Sequence, residues 1–260
     1  MSPTVIVLIL QSGWRLVRLG TEDRFQSVMA TICVVATLTL PGRLTAMFLG
    51  ARSCGELRHH PVRGRDGARV ARPPGPRPEG APDIAFHQST EVLGPVATRA
   101  VLTPEAAAEM RHGYFANISY MDAQLGKVLD ALDASGVADR TIVTFVGDQG
   151  YHIGEHTLWG KTSNFELDAR VPFFLDVPGM KTAGKRTSSP TELLDLFPTL
   201  VDLCHLPKPG GLEGISLAPL LTDSSLRLKP GAFTQHPRPA YYDREPSKTP
   251  TAMGCSVRTP

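Results

Sequence analysis

Between residues 147 and 166 the chain carries a dense group of polar and ionisable side chains in a segment interrupted by glycines. Gly147-Asp-Gln-Gly150 follows an apolar run, and Tyr151-His-Ile-Gly-Glu-His-Thr-Leu-Trp-Gly-Lys161 comes directly after it. Asp148 and Gln149 offer oxygen ligands for a hard divalent cation, whereas Lys161 offers a point charge for a tetrahedral oxyanion such as sulfate or phosphate. These residue types predict a site for an anionic ester, and His156 is a further candidate for contact with its substrate.

The same segment also matches a different catalytic pattern. His152-Ile-Gly-Glu-His156 has the H-x-x-E-H spacing of one class of zinc peptidase, in which both histidines bind the metal from one face of a helix. The glycines at 150, 154 and 160 disfavour a helix here, because each interior glycine costs about 1 kcal/mol relative to alanine. The peptidase is therefore the weaker interpretation.

The elements that must position these side chains have an α/β pattern. Thr103-Pro-Glu105 is typical of a helix N-terminus, and Ser135-Gly136 supplies the end of that helix. The residues between them predict an apolar stripe that faces the core: Met110, Tyr114, Ile118, Met121, Leu125, Val128, Leu129 and Leu132. Thr141-Ile-Val-Thr-Phe-Val146 predicts a buried strand, and open α/β sheets place ligands at the carboxyl ends of such strands.

Further elements are predicted downstream. Residues 171–177 form a short apolar strand with Pro172 at its start, and Thr191 caps a helix that Pro198 kinks. Cys204 falls on the apolar face of that helix, which favours inert packing. Beyond Gly211 the chain is rich in proline and turns and predicts no clear final element, so we expect truncation at this end.

Composition excludes several functional classes. Lys+Arg 27 against Asp+Glu 25 gives a formal charge of +2, which excludes a polyanion-binding protein driven by bulk charge. The four cysteines are far apart and form no CxxC pair, so neither a disulfide scaffold nor a cysteine-rich zinc site is supported.

Residues 1–81 are set apart from the rest of the chain by their composition. The arginine-rich and proline-rich segment 52–80 predicts a solvated linker or tail, because no aromatic residue is interleaved to stack on nucleic-acid bases. The apolar runs 5–10 and 28–40 are shorter than the roughly 20 residues that cross a bilayer, and neither makes a convincing signal peptide. We therefore expect 1–81 to be disordered or unrelated, without an assigned function, and the domain to occupy 82–260.

The loop and its surroundings resemble the sulfatases of the alkaline-phosphatase-like superfamily. Gly147-Asp-Gln-Gly-Tyr-His-Ile-Gly-Glu-His156 with Trp159-Gly-Lys161 resembles the second signature region of that family, and residues 163–172 continue it. Segments at 113–122, 193–200, 235–239 and 253–259 follow in consistent order and are similar to family members that remove 2-sulfate from uronate residues of heparan and dermatan sulfate. The resemblance spans about residues 82–260.

This resemblance implies a fold, a cofactor and a substrate. The fold would be α/β, a partial alkaline-phosphatase-like sandwich of helices around a mixed sheet, with only the C-terminal half present. Asp148 and Gln149 would bind Ca²⁺, although Gln149 stands where the family usually has His or Asn, and Lys161 would contact a sulfate oxygen. The substrate would be a sulfated glycosaminoglycan or other sulfate ester in a lysosomal or secretory location, with no nucleic acid and no membrane span.

The nucleophile of the family has no convincing counterpart. Sulfatases convert the cysteine of C-x-P-S-R or C-x-A-x-R to formylglycine, whereas Cys54-Gly-Glu-Leu-Arg58 has Glu56 at the position of Pro or Ala. We interpret that match as coincidence and expect the chain to be an incomplete, inactive form. Two alternatives stay open: a catalytically dead interaction protein, and another metal-dependent hydrolase, either a phosphodiesterase of the same superfamily or the zinc peptidase.

Overall fold

The structure of the chain, a computed structural model, describes residues 4–18, 25–37, 47–49, 75–87, 89, 102–240 and 249–260. In chain order the strands and helices of these ranges are β1 (Thr4–Arg18), β2 (Phe25–Thr37), β3 (Met47–Leu49), α1 (Pro104–Ala134), β4 (Thr141–Gly147), β5 (His152–Ile153), β6 (Trp159–Gly160), α2 (Glu166–Ala169), β7 (Phe173–Asp176), α3 (Leu196–Leu203), β8 (Ala232–Arg238) and β9 (Ala252–Arg258). Short 3-10 turns connect several of them.

A five-stranded mixed sheet forms the centre of the fold, in the order β3-β2-β1-β4-β7. β1 and β4 run parallel, with Thr4 opposite Thr141, whereas every other neighbouring pair in this sheet is antiparallel. α1 contacts β2 and β5. The predicted architecture, helices around a mixed sheet, is confirmed for the part of the chain that the structure describes.

β4 forms where the run of apolar and β-branched residues predicts it and extends one residue further, to Gly147. Ile142 and Val146 are buried, and so is the polar Thr144 between them. The Thr144 hydroxyl donates to the carbonyl oxygen of Phe174 in β7 at 3.0 Å, which satisfies its hydrogen-bonding need inside the core. A strand buried in this way holds the residues at its carboxyl end in a fixed position.

α1 begins and ends at the predicted residues. The Thr103 side chain accepts a hydrogen bond from the backbone N–H of Ala106 at 3.3 Å, and Pro104 occupies the first position, where no N–H is needed. At the other end Gly136 adopts a positive φ of 65°, a conformation that glycine reaches without strain.

The apolar stripe predicted on α1 is only partly buried. Met121 is buried, and Met110 and Tyr114 pack against a cluster of Ala107, Tyr151 and Trp159. The prediction was wrong for Ile118 and Leu129, which are 40% and 38% exposed. Only part of the predicted stripe therefore faces the core.

The elements after β4 differ in detail from the prediction. Strand β7 is shorter than residues 171–177, and Pro172 precedes it as expected. Glu192, not Thr191, caps the 3-10 turn of residues 193–195 that leads into α3, because the Glu192 and Asp195 side chains and backbone N–H groups bond reciprocally. Pro198, where a kink is predicted, lies in the first turn of α3, where its missing N–H removes little.

The C-terminal region contains a hairpin that the sequence did not reveal. β8 and β9 pair antiparallel from Ala232 opposite Arg258 to Arg238 opposite Ala252. Pro237 lies inside β8, and a two-stranded hairpin tolerates it because each strand has one unpaired edge. Turn-rich composition therefore concealed these strands.

Residues before the predicted domain start also contribute to the sheet, since β1, β2 and β3 all precede residue 82. The boundary at 82 and the separate character of 1–81 stay predictions, and residues 50–74 lie outside the described ranges.

Among the described residues, no helix combines the length and the apolar character that crossing a bilayer would require.

Candidate functional site

The candidate cation ligands follow the last residue of β4 directly. Asp148 is exposed and Gln149 is half-buried, at the carboxyl end of a central strand. Both residues make further interactions within the protein. Their position agrees with the general rule for open α/β sheets, and their roles stay a prediction.

The turn after these two residues is held against α2 by backbone hydrogen bonds. The N–H of Gly150 donates to the carbonyl oxygen of Asp168 at 2.8 Å, and the N–H of Tyr151 donates to that of Leu167 at 2.9 Å. Gly147, before the turn, donates to the carbonyl oxygen of Pro172 at 3.0 Å. The candidate ligands therefore lie in a turn that is fixed on both sides.

Lys161 lies between two residues with unusual backbone conformations. Gly160 has a φ of 96° and Thr162 a φ of 86°. A positive φ is a genuine outlier for a β-branched residue such as threonine, and strain of this kind concentrates at functional sites. Lys161 itself is half-buried and interacts with other residues of the chain.

Arg238 holds the strained segment in place. Its Nη1 donates to the carbonyl oxygen of Thr162 at 2.7 Å, and its Nη2 donates to that of Ala85 at 3.3 Å. The side chain is buried, with only 4% of the residue exposed. Neither spacing nor periodicity links Arg238 to Lys161, although Arg238 falls in one of the segments that carry the family resemblance.

Asp168 and His152 form a buried pair that sequence reasoning missed. His152 is completely buried, and its Nδ1 lies 2.8 Å from Asp168 Oδ1. The other carboxylate oxygen of Asp168 accepts the backbone N–H of Ser163 at 2.7 Å. Because its backbone carbonyl also accepts from Gly150, Asp168 connects the turn after β4, strand β5 and the segment after Lys161.

His156 continues this chain of contacts. Its Nδ1 lies 3.4 Å from His152 Nε2, and its ring centroid is 4.9 Å from that of Phe165. The backbone of His156 is left-handed, with a φ of 55°, which histidine adopts more readily than most residues. Burial of the ring and the nearby His152 lower the pKa of His156 below its ordinary value, against the opposing effects of Glu155 and Asp168.

The geometry of the H-x-x-E-H segment differs from that of a peptidase. His152 lies in strand β5, whereas His156 lies in a 3-10 turn, so the two are not on one face of a helix. The carboxylate of Glu155 accepts the backbone N–H of Ile153 at 2.9 Å. The prediction that this segment does not form an α-helix is confirmed.

The donor set for a cation is chemically suitable but small. Asp148 and Gln149 provide a carboxylate and an amide carbonyl, whereas Ca²⁺ takes six to eight oxygen ligands. Within the described ranges no group of three or more His, Cys, Asp or Glu side chains is arranged to hold a metal ion. These residues could supply part of a calcium shell.

The described cysteines do not resemble nucleophiles. Cys204 is half-buried at the end of α3, and burial raises the pKa of its thiol, which disfavours the reactive thiolate. Cys255 is exposed in β9. Cys54, the match to the formylglycine motif, lies outside the described residues.

The family model and the similar proteins of known name agree on one family. The Sulfatase family model matches residues 75–206. Iduronate 2-sulfatase from Mus musculus is 31% identical over 226 residues, covering 68% of this chain and 41% of that protein. Arylsulfatase K from Danio rerio is 36% identical over 157 residues, covering 60% of this chain and 28% of that protein.

Solved structures lead to the same fold. A structure described as a 2-O GAG sulfatase is 25% identical, with a TM-score of 0.52, and covers 74% of this chain and 44% of that one. The chain thus spans less than half the length of these two relatives and of that solved structure. The part that matches has the alkaline-phosphatase-like fold.

Proposed function

Because the chain belongs to the sulfatase family, we propose that its activity is the hydrolysis of sulfuric esters. We propose further that its substrate specificity is similar to that of iduronate 2-sulfatase. The substrate would be the 2-sulfate of uronate residues in heparan or dermatan sulfate. The observation that carries this proposal is the 31% identity over 226 residues to a protein of that name, since this stretch includes the polar loop after β4. Its similarity to a 2-O GAG sulfatase supports a glycosaminoglycan substrate.

The proposed reaction class is supported by more relatives than the proposed identity of the sugar. Arylsulfatase K is 36% identical over a shorter stretch, and both groups of relatives are named for sulfate esters. A different sulfate ester is therefore the alternative substrate within the same chemistry. From the same resemblance we propose a lysosomal or secretory location.

The proposed roles follow from charge and position. Lys161 contacts a sulfate oxygen, because an ammonium group stabilises the negative charge that builds up on the transferring sulfuryl group. Asp148 and Gln149 contribute two oxygen ligands to a calcium ion, which would polarise the ester when bound. The amide of Gln149 is neutral and longer than the Asn usual in this family, so it holds such an ion less well.

Sulfate-dependent stabilisation tests the role of Lys161. Inorganic sulfate should raise the melting temperature of the parent chain, and Lys161→Ala should abolish that increase. Lys181→Ala is the matched control, since Lys181 is an exposed lysine away from the polar loop. Equal protection of the parent and Lys161→Ala would contradict an oxyanion site at Lys161.

Turnover tests the reaction itself. Sulfate release from a 2-sulfated uronate disaccharide should be no faster with this chain than with Lys161→Ala, because the sequence contains no C-x-P-S-R or C-x-A-x-R motif to form the nucleophile. Joining a sulfatase first half that carries this motif and an aspartate pair should give turnover, which Gln149→His should increase. Sulfate binding without turnover in the joined chain would favour the catalytically dead interaction protein.

One result would reverse the interpretation of Cys54. If the chain alone hydrolyses the disaccharide and Cys54→Ala removes that activity, Cys54 is the nucleophile after all. Sulfate release by the two chains reports directly whether turnover depends on that thiol.

A further inference from the structure

The contact chain Asp168–His152–His156 determines where the ring protons of both histidines lie. A carboxylate oxygen can only accept a hydrogen bond, and Asp168 Oδ2 already accepts the backbone N–H of Ser163. Asp168 Oδ1, 2.8 Å from His152 Nδ1, therefore requires a proton on that nitrogen. When His152 carries only this one ring proton, its Nε2 is bare and can only accept.

His156 is the next member of the chain. Its Nδ1 lies 3.4 Å from the bare His152 Nε2, so a hydrogen bond between the rings requires the proton on His156 Nδ1. The Nε2 of a neutral His156 is then an acceptor, and it has no hydrogen-bond partner among the residues that the structure describes. The lowered pKa of His156 agrees with a neutral ring at neutral pH.

We propose that Asp168 and His152 are positioning residues that hold His156 in the Nδ1–H form, so that its Nε2 accepts a hydrogen bond from a hydroxyl group of the ligand. The identity of this ligand, a sulfated sugar, rests on the proposed function. A lone pair cannot donate to a sulfate oxygen, so the anionic group belongs to Lys161 and the hydroxyl to His156. The two side chains thereby recognise different parts of one sulfated sugar.

The packing around His156 supports a fixed ring. Phe165 packs against both imidazoles, with ring centroids 4.9 Å from His156 and 6.1 Å from His152. The charged groups facing this pair are Glu155, from the same turn, and Asp168, from α2. Arg111 approaches from α1, where its Nη1 donates to the carbonyl oxygen of Ile153 at 3.4 Å.

Asp168→Asn tests the proposal because it replaces the acceptor that faces His152 Nδ1 with a donor, without changing the size of the side chain. The asparagine oxygen would still accept from Ser163, and its NH₂ group would then face His152 Nδ1 as a donor. His152 must respond by moving its proton to Nε2 and donating to His156 Nδ1. His156 would then carry its own proton on Nε2 and become a donor toward the ligand.

The measurement is ¹⁵N NMR of the full chain with labelled histidine rings, at about pH 7.5, where the lowered pKa of His156 leaves that ring neutral. His152→Gln and His156→Gln assign the two sets of signals. In the parent both rings should carry the proton on Nδ1, and in Asp168→Asn both should carry it on Nε2. Asp195→Asn, which alters another buried carboxylate, should leave both rings as in the parent.

Two results would overturn the proposal. One is a parent chain in which His156 carries its proton on Nε2, and this outcome can be read even if Asp168→Asn does not fold. The other is an Asp168→Asn chain that folds and keeps both rings in the parent form. Neither result depends on sulfate binding, so failure of this proposal and failure of the proposed function are measured separately.

Discussion

Gly150 lies so close to Leu167 that a Cβ atom at this glycine would be 1.8 Å from the carbonyl oxygen of Leu167. The two backbones approach because the N–H of Gly150 donates to Asp168 and the N–H of Tyr151 donates to Leu167. Glycine is therefore required here for space, since no larger residue could keep both hydrogen bonds. The turn that carries Asp148 and Gln149 depends on this contact with α2.

Gly150→Ala should destabilise the chain by about 3 kcal/mol, the upper range for overpacking, because backbone atoms rather than a flexible side chain must move. Gly126→Ala is the matched control. Gly126 lies within α1, a Cβ there meets no atom within 4 Å, and the change should stabilise the helix by up to about 1 kcal/mol. Urea unfolding of both variants measures the difference, and equal stability of the two would contradict the close approach.

Lys229 is the cation of a buried ion pair, and removing its charge would leave buried carboxylates unpaired. Its Nζ lies 2.9 Å from Asp195 Oδ2 and also bonds to Glu192, and Asp195 is fully buried. Lys229→Met should cost about 3 kcal/mol, because it leaves a buried carboxylate without its cation. Lys208→Met removes an exposed pair with Asp202 and should cost less than about 1 kcal/mol in the same urea experiment. A loss at Lys229 no greater than that at Lys208 would be inconsistent with burial of the pair.

The same cluster predicts a loss of stability at alkaline pH. Burial acts to lower the pKa of Lys229, but its hydrogen bonds and ionic contacts with Glu192 and Asp195 prevail and raise it above the ordinary 10.5. A pKa raised in the folded state means that the stabilisation is complete below pH 10.5 and is lost as the pH rises through the folded value. The free energy of unfolding should therefore fall in that window for the parent but not for Lys229→Met.

His156 should titrate below its ordinary pKa of 6.5, because its ring is partly buried and close to His152. Between the folded value and 6.5 the unfolded chain binds more protons, so the stability of the parent should increase with pH in that window. NMR titration of the assigned ring gives the midpoint, and urea unfolding of the parent and His156→Gln gives the linked change in stability. A midpoint above 6.5 would mean that Glu155 and Asp168 outweigh burial.

Calcium should bind this chain weakly, because Asp148 and Gln149 supply one carboxylate and one neutral oxygen. Isothermal titration calorimetry should give an affinity no tighter than the millimolar range, and Asp148→Asn should remove it. Asp176→Asn, at an exposed aspartate in β7, is the control that should leave it unchanged. Submicromolar binding by the parent would mean that further ligands join these two.

Local sequence signals predicted the elements that local interactions determine. Thr103, Pro104 and Gly136 fix the ends of α1 through caps and backbone conformation, and each of these effects acts within a few residues. The polar loop after β4 was recognised from residue types and its position after an apolar strand. Nothing local indicates that β1 pairs with β4, because strand pairing depends on contacts between distant segments.

The pair of His152 and Asp168 shows the same limit within the site. The two residues are 16 positions apart, and a 3-10 turn with the left-handed His156 lies between them, so no helical or strand period relates them. The two-residue strands β5 and β6 that bring them together are too short for an alternating pattern. The concentration of polar residues predicts that the loop is a candidate site, but it does not predict which of its residues contact each other.

The parallel pairing of β1 with β4 also has a consequence for the order of events during synthesis on the ribosome. β1 can pair with β2 as soon as residue 37 has emerged, but its other edge has no partner until β4 is made. The roughly hundred residues between β2 and β4 take about 5 to 20 s to translate. During that interval a strand with the apolar run 5–10 presents an open edge to other nascent chains, so we expect chaperone capture and aggregation in cells to depend on the speed of elongation through α1.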